Sequence, residues 1–321
     1  MLCHAAAVVA TQTLSLPVPR PFELPLVLRG HGWIALPPHR YAGGREPWLL
    51  PLRLDRTVCS AAVRQRGRQL EVTLQSERRL PARALALATA QLAHMLRLHD
   101  DLAPFWRLCR AHAPLAWVAR RGGGRLLRSA SLFEDLMKLL FTTNCTWAAT
   151  TSMTKNLVAA IGAPAPGGDR AFPTPADCDR GERFWRDVVR AGYRARACQE
   201  LAARFCSGDL DDAQFLDAAL PTAALRKRLL ALRGFGPYAA GQALRLLARY
   251  DDLALDSWCR ATLARQLGRR RAPSDAAIAR RYRDFGAFAG LALWCDLTAG
   301  WHGERAGAAT FDGIQARSDA T

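Results

Sequence analysis

Lysine is scarce in this sequence, and cysteine pairs of the kind that bind metals are missing. Only three of the 45 basic residues are lysine (Lys138, Lys155 and Lys227), so a reaction that needs a lysine amine has three candidates. The nine cysteines are scattered, with no Cys-x-x-Cys pair and no four-cysteine cluster. This spacing argues against a zinc or iron–sulfur centre, and we predict no metal site.

The sequence also lacks the features of secreted and membrane proteins. No apolar stretch reaches the length that crosses a bilayer. The opening run MLCHAAAVVATQTLSLP has no basic segment, so we interpret it as a ragged start rather than a signal peptide. Single cysteines within apolar helical patterns are typical of buried free thiols. Together these observations predict a protein of the reducing, cytoplasmic compartment.

What the sequence has in excess is positive charge. Its 321 residues, half of them hydrophobic, are enough for about two domains with a sizeable core. The 45 basic residues outnumber the 28 acidic ones, which gives a net charge of +17 and a pI near 10.5. A globular protein this basic usually binds a polyanion, and nucleic acid is the first candidate. The alternative is a basic, solvated surface that only aids solubility.

Local patterns divide the chain into a β-rich part and a helical part. Between residues 12 and 80, the runs LPLVLRG, GWIALPP and WLLPLRL predict short strands, and AAVRQRGRQLEVTLQ predicts a hairpin that turns at Gly67. Alanine- and leucine-rich helical patterns follow, with Ser131 and Ser274 as predicted N-caps. The predicted α+β fold has three parts: a β-rich domain with a closing helix (1–120), a helical domain (125–302) and a disordered tail (303–321).

The stretch LRGFGPYAAG, residues 232–241, predicts two helices joined by a tight turn. Gly234 and Gly236 allow the turn to adopt positive φ and leave no side chain between the backbone and a ligand. Pro237 suits the first turn of the second helix, whose free N–H groups and dipole form an anion site. A DNA phosphate fits such a site without base specificity, whereas the alternative is an ordinary helix–helix turn. Four basic residues surround the turn: Arg226, Lys227, Arg228 and Arg233.

A single carboxylate stands out after this segment. Asp256 follows an apolar pair in LALDSW and precedes the helical pattern SWCRATLARQL. An N-cap is the ordinary role of an aspartate at such a place. A carboxylate just after a DNA-anchoring hairpin also lies at a set distance from the bound phosphodiester, and the two roles are compatible. Asp251 and Asp252, a few residues earlier, are the alternatives for the second role.

Five motifs in the same order resemble the helix–hairpin–helix DNA glycosylase superfamily. LRGFGPYAAG followed by LALDSW resembles its hairpin, its Gly/Pro-rich loop and its essential Asp. SLFEDLMKLLFTTN resembles the first helix of the catalytic domain in 8-oxoguanine and 3-methyladenine DNA glycosylases. AFPTP (171–175) resembles their Phe-Pro-x-Pro loop, and AGYRAR (191–196) resembles their Gly-Tyr-Arg-Ala-Arg segment. The match runs from about 125 to 300, and the β-rich part resembles, less specifically, the small sheet domain of bacterial 3-methyladenine DNA glycosylase II.

The resemblance implies a small antiparallel sheet domain, an all-α helix–hairpin–helix catalytic domain, and an enzyme that flips a damaged base out of the duplex. By matched position, Asp256 is the catalytic carboxylate that stabilises an oxocarbenium-like sugar or orients water for attack on C1′. The resemblance implies a monomer that needs no cofactor and whose partner is double-stranded DNA with damaged bases. Relatives that also cut the strand use a lysine two residues after the second hairpin glycine. Tyr238 occupies that position here, so we predict base excision without lyase activity.

The resemblance also assigns contacts with DNA. Asn144, at the end of FTTN, matches the position that fills the gap left by the flipped base, and Tyr193 matches a neighbouring wedge residue. A helix C-cap and a packing aromatic are the alternative roles of these two residues. The predicted contacts of the hairpin with the DNA backbone are Leu232, Gly234, Gly236 and Lys227.

Four aromatic residues are candidates for the base pocket: Tyr238, Trp147, Trp258 and Trp294. Electron-rich rings attract cationic alkylated purines such as 3-methyladenine, so an alkylated base is the predicted substrate. Core packing is the alternative for these rings. The alternative functions are an oxidised-purine (8-oxoguanine) DNA glycosylase, a non-catalytic helix–hairpin–helix DNA-binding module and a basic structural protein.

Overall fold

A four-stranded antiparallel sheet forms the N-terminal part of the protein, in a computed structural model that describes residues 9–304. The strands are β1 (Ala10–Pro17), β2 (Trp48–Leu54), β3 (Thr57–Arg66) and β4 (Gln69–Ser76). Their order across the sheet is β1-β4-β3-β2, and every neighbouring pair is antiparallel. A helical region follows the sheet, so the predicted α+β class is confirmed.

The β3–β4 hairpin forms where the sequence predicts it. Leu70, Val72 and Leu74 alternate with more exposed neighbours and are fully buried, because successive side chains of a strand point to opposite faces. Gly67 makes the turn with φ of +60°, a conformation that glycine adopts without strain. One face of the sheet therefore joins the core of the protein.

Two predicted strands are wrong, and one strand was not predicted. LPLVLRG forms a buried helix, α1 (Leu24–Leu28), and GWIALPP contains a 3-10 turn at Trp33–Ala35. A short apolar run fits a buried strand and a buried helix equally well, and the proline in the first turn of α1 favours the helix. The opening run, predicted as a ragged start, contains β1 paired with β4, while residues 1–8 lie outside the described residues.

The helices after the sheet are mostly short. They are α2 (Ala82–Met95), α3 (Ala103–Arg110), α4 (Ala116–Arg121), α5 (Leu132–Phe141), α6 (Trp147–Ile161), α7 (Ala195–Cys206), α8 (Ala213–Leu216), α9 (Thr222–Leu230), α10 (Pro237–Leu246), α11 (Ser257–Gln266), α12 (Asp275–Tyr282) and α13 (Ala289–Thr298). Among residues 9–304, no helix is both long and apolar enough to cross a membrane.

Two hydrophobic cores organise these elements. The first core joins the sheet to α5, α7, α9 and α10, and the second joins α3 and α4 to α11, α12 and α13. In the second core, the ring of Phe105 lies 5.4 Å from that of Phe288, centroid to centroid. Residues 103–119 thus pack on the C-terminal helices, although the predicted division groups them with the sheet. That division stays a prediction, and the predicted tail lies outside the described residues from 305 onward.

Polar contacts fix the N-terminal part against the helices. The Arg53 guanidinium on β2 pairs with Asp177 at an N–O distance of 2.5 Å. The indole N–H of Trp294 on α13 donates to the carbonyl oxygen of Gly30, 2.7 Å away. The segment between α1 and β2 is thereby held where the two cores meet.

Candidate active site

A cavity of about 870 Å³ lies at the junction of the two cores. Leu139 and Ala239 of the first core and Trp294 of the second core all contribute to its wall. The stretches that line it are 31–33, 139–147, 234–242 and 255–260, with Trp294 and Trp301 from the C-terminal helices. The sequence-predicted hairpin, carboxylate and aromatic residues thus meet in one place.

The helix–hairpin–helix turn joins α9 to α10 and borders the cavity. Gly234 has φ of +83°, and a Cβ there would lie 2.9 Å from Cδ2 of Leu140. Gly236 has an ordinary φ of −95°, and a Cβ there would meet nothing within 4 Å. The first glycine is therefore required by the fold, whereas the second keeps the approach to α10 open.

The N-terminus of α10 has the properties of an anion site. Pro237 occupies its first turn, and no side chain caps it, so the free N–H groups and the positive dipole end remain available. Lys227 is exposed near the turn. Other predicted cations have partners, since Arg226 pairs with Asp252 at 2.5 Å and Arg233 with Glu200 at 2.6 Å.

Leu232 is placed differently from the other hairpin residues. Its side chain is buried, and its carbonyl accepts the N–H of Phe235 within the turn. A contact between Leu232 and DNA would therefore run through the backbone, while the side chain anchors the hairpin in the first core.

Asp256 caps α11 and lines the cavity at the same time. Its Oδ1 accepts the backbone N–H of Cys259 at 2.6 Å, and its Oδ2 accepts Nε2 of Gln242 at 3.1 Å. The alternative carboxylates are engaged elsewhere, because Asp251 accepts the hydroxyl of Thr222 and Asp252 pairs with Arg226.

A buried polar chain supports this carboxylate from α10. Nη1 of Arg245 donates to Oε1 of Gln242 at 2.6 Å, which leaves the Gln242 amide nitrogen to donate to Asp256. Arg245 is buried, and its guanidinium carbon lies 4.2 Å from the ring centroid of Trp294. Sequence reasoning missed both residues. The available signal was a glutamine and an arginine at i, i+3 spacing within an otherwise small and apolar helix.

The four predicted pocket aromatics, Trp147, Tyr238, Trp258 and Trp294, all line the cavity. Trp33 and Trp301 line it as well, although neither was predicted. The rings of Trp258, Trp294 and Trp301 form a cluster with centroid distances of 5.6 to 5.8 Å. Six aromatic side chains and one carboxylate thus line the cavity, together with Arg260, whose guanidinium pairs with Asp275.

The cavity lacks a lysine amine. None of the three lysines lines it, and Lys138 is buried in an ion pair with Glu134 at 2.6 Å. Tyr238 lies at the hairpin position and is 37% exposed, and desolvation by its surroundings raises the pKa of its phenol, so the hydroxyl keeps its proton near neutral pH. Within residues 9–304, no group of three or more His, Cys, Asp or Glu side chains is arranged to hold a metal ion.

Asn144 and Tyr193 lie together at the rim. Asn144 is exposed in the left-handed conformation, with φ of +45°, and lines the cavity. Tyr193 is 69% exposed, and its hydroxyl donates to the carbonyl of Thr143 at 3.2 Å. An exposed aromatic side chain is thus fixed beside the mouth of the cavity, next to an exposed amide.

The solved structures that resemble this chain include DNA glycosylases. The 3-methyladenine DNA glycosylase from Archaeoglobus fulgidus has a TM-score of 0.70 at 18% identity, over 89% of this chain and 97% of that one. The apo 8-oxoguanine glycosylase/lyase from Clostridium acetobutylicum has a TM-score of 0.67 at 16% identity, over 90% of this chain and 98% of that one. The same enzyme in complex with duplex DNA containing cytosine opposite 8-oxoguanine has a TM-score of 0.67 at 16% identity, over 92% and 98%. The chain has the helix–hairpin–helix DNA glycosylase fold.

This glycosylase fold is shared at low sequence identity. Neither a protein-family model nor a curated protein sequence matches the chain. The chemistry of its cavity is therefore judged from the residues that line it.

Proposed function

We propose that the protein is a DNA glycosylase that receives a damaged, flipped-out base in the aromatic cavity and hydrolyses its N-glycosidic bond. The observation that carries this proposal is Asp256, which reaches an aromatic cavity directly beside an uncapped helix–hairpin–helix turn. The glycosylase fold supports it.

In the proposed mechanism, the Asp256 carboxylate acts electrostatically. Departure of the base leaves positive charge on the sugar, and a fixed carboxylate stabilises that charge or orients water towards C1′. The N–H of Cys259 and the amide of Gln242 hold one carboxylate oxygen each, so the group is oriented before the substrate arrives. A preorganised charge costs little rearrangement during the reaction.

Double-stranded DNA is the proposed partner of a monomeric protein. The N-terminus of α10 binds a backbone phosphate, Gly234 and Gly236 shape its approach, and Lys227 adds charge. Asn144 and Tyr193 at the rim fill the gap that the flipped base leaves. The net charge of +17 supports the attraction to a polyanion.

We further propose base release without strand cleavage. A lyase step needs an amine that forms a Schiff base with the sugar. The position two residues after Gly236 is Tyr238, and none of the three lysines lines the cavity. The proposed enzyme is therefore monofunctional.

The proposed substrate is an alkylated purine such as 3-methyladenine. Six aromatic residues line the cavity, and electron-rich rings attract the positive charge of an alkylated base. One observation favours 8-oxoguanine as a second candidate. The guanidinium of Arg245 lies 4.2 Å from the ring centroid of Trp294, so that ring already interacts with a cation. It therefore attracts a cationic base less strongly, which reduces its preference for an alkylated purine over 8-oxoguanine.

The testing experiment measures base release from a methylated duplex and from an 8-oxoguanine duplex under single-turnover conditions. We expect free methylated adenine, with strand breaks only after hot alkali. Asp256→Asn keeps an oxygen to cap α11 but loses the charge, so we expect its rate to fall by at least about 100-fold. Asp284→Asn, at an exposed carboxylate outside the cavity, is the control and keeps the wild-type rate.

Three other outcomes would change the proposal. Release from the 8-oxoguanine duplex alone would assign the second candidate substrate. Strand breaks without alkali would disprove monofunctional chemistry. Tight DNA binding by both wild type and Asp256→Asn, with no base released from either duplex, would indicate a non-catalytic binding module.

A further inference from the structure

His31 is a buried, unsatisfied polar side chain in the wall of the cavity. It belongs to the segment between α1 and β2 and is only 7% exposed. Neither ring nitrogen makes a hydrogen bond of normal geometry with the side chains and backbone of residues 9–304, although the Gln242 side chain interacts with the ring. A buried polar group without a partner costs free energy, so an unused donor and acceptor inside a cavity point to a ligand.

The ring of His31 is held in place by aromatic neighbours. Trp33 meets it edge-on with a centroid distance of 4.6 Å, and Trp294 lies at 5.8 Å. Trp294 is itself fixed by its hydrogen bond to Gly30, the residue before His31. The imidazole therefore has a set position before a ligand enters.

The charge state of His31 determines what it offers to a ligand. Burial lowers the pKa of His31 to about 3, the nearby charges of Arg245 and Arg97 act in the same direction, and the Gln242 side chain opposes them. The imidazole is therefore neutral near pH 7, with one N–H donor and one lone-pair acceptor. A neutral ring of this kind pairs with an edge that carries an N–H or a lone pair, as purine edges do.

We infer that His31 is a specificity-determining residue that hydrogen-bonds the edge of the flipped-out base. The inference rests on the proposed function, because it needs a base in the cavity. It assigns recognition to the segment between α1 and β2 and bond cleavage to Asp256, and both residues line the same cavity. His31 thus contacts the base, whereas the hairpin contacts the backbone.

Binding measurements separate this role from a structural one. Two kinds of duplex are compared. The first carries a modified purine nucleotide, either methylated adenine or 8-oxoguanine, whose 2′-fluorine blocks cleavage. The second carries an abasic-site analogue. We expect the wild type to prefer one modified duplex over the abasic one. His31→Phe keeps the ring but loses the hydrogen bond, so we expect the preference to fall by roughly 10-fold. His31→Gln retains a donor and an acceptor and restores part of it.

Affinity for the abasic duplex is the internal control, because that duplex has no base for His31 to contact. We expect it to be unchanged in both His31 variants. His39→Phe is the matched control, since His39 is equally buried and without a hydrogen-bond partner among the described residues but lines a different cavity, and it keeps the wild-type preference.

Three results would overturn the inference, and the first two are a preference that persists in His31→Phe and a wild type that does not prefer either modified duplex over the abasic one. An equal loss of affinity for both duplexes in His31→Phe would also overturn it, by assigning a structural role. A preference that depends on His31, without base release from unblocked duplexes, would support the inference and reject the proposed glycosylase activity.

Discussion

At the scale of single residues, Asp256 serves the fold and the site with one carboxylate. Its Oδ1 accepts the backbone N–H of Cys259 and so caps the start of α11. Its Oδ2 accepts a hydrogen bond from the Gln242 amide. The substitution Asp256→Ala would remove both functions. A lower activity could then come from the loss of the helix cap, which lowers the free energy of unfolding by about 1 kcal/mol. Asparagine keeps the capping oxygen, so its effect reports on the charge and on the hydrogen bond from Gln242 rather than on the cap.

Gln242 provides the next test at this scale. Gln242→Leu removes the N–H that orients Asp256 and leaves the Arg245 guanidinium without one acceptor. We expect the single-turnover rate to fall by about 10- to 100-fold, because the carboxylate loses its fixed orientation. Affinity for abasic duplex DNA should stay within about twofold, because the backbone contacts are unaffected.

Gln242→Glu distinguishes orientation from packing. Glutamate still accepts from Arg245, but it cannot donate to Asp256 and places a second carboxylate beside it. The rate should therefore fall further than in Gln242→Leu, although the side chain is nearly the same size. A faster rate for the glutamate variant would contradict the orienting role. Gln266→Leu, outside the cavity, is the control.

The sequence was sufficient to predict site residues whose roles depend on neighbouring positions in the chain. Asp256 follows an apolar run at the start of a helix, and its N-cap bond spans three residues. Gln242, Arg245 and His31 gain their positions from contacts between distant segments, such as the bond between Gln242 and Asp256, 14 residues apart. Propensity and periodicity carry no information about such contacts.

At the scale of elements, we expect substitutions of the two hairpin glycines to have different effects. Gly234→Ala places a Cβ 2.9 Å from Leu140 at a φ of +83°, so we expect a loss of about 1–3 kcal/mol of unfolding free energy. Gly236→Asp meets open space and adds a capping carboxylate at the N-cap position of α10, so it should not lower the melting temperature. Its carboxylate faces the proposed phosphate site, so we expect affinity for every duplex to fall to a similar extent.

Thermal melts and duplex titrations of both variants check this pair. Gly236→Ala is the control, because it adds a Cβ without charge. Normal DNA affinity of Gly236→Asp would remove the hairpin from the binding surface. An unchanged melting temperature of Gly234→Ala would contradict the steric argument.

Elements were predictable where a local signal marks their ends. Ser131 caps α5 and Ser274 caps α12 through their side chains, as the sequence predicts. The segment 33–35 carries no such signal, and the segment 24–28 carries only a proline in its first turn, while the hydrophobicity of both gives no period to read. The sequence therefore could not show that the segment with His31 lines the cavity, because the path of that segment depends on how the sheet packs on the helices.

At the scale of the whole molecule, the histidines link stability to pH. Burial is the main cause that lowers the pKa of His94 to about 4 and that of His302 to about 3, and it also lowers the pKa values of His31 and His39. In the unfolded chain, histidine binds a proton below about pH 6.5. The stabilisation from keeping these rings neutral is therefore complete above pH 6.5 and is lost as the pH falls towards 4.

We expect urea unfolding to give a lower free energy at pH 5.5 than at pH 7.5. Each of these histidines contributes a slope of up to about 1.4 kcal/mol per pH unit below pH 6.5. His94→Gln removes one titrating ring outside the cavity and should make the slope shallower. Equal unfolding free energies at the two pH values would contradict the buried, neutral state of these side chains.

The bond from Trp294 to Gly30 joins positions 264 residues apart in the chain. The wall of the cavity therefore cannot close before α13 and Trp301 have been synthesised, and both follow the hairpin and Asp256 in the chain. A nascent chain can expose the proposed phosphate-binding turn and the carboxylate before the cavity is complete.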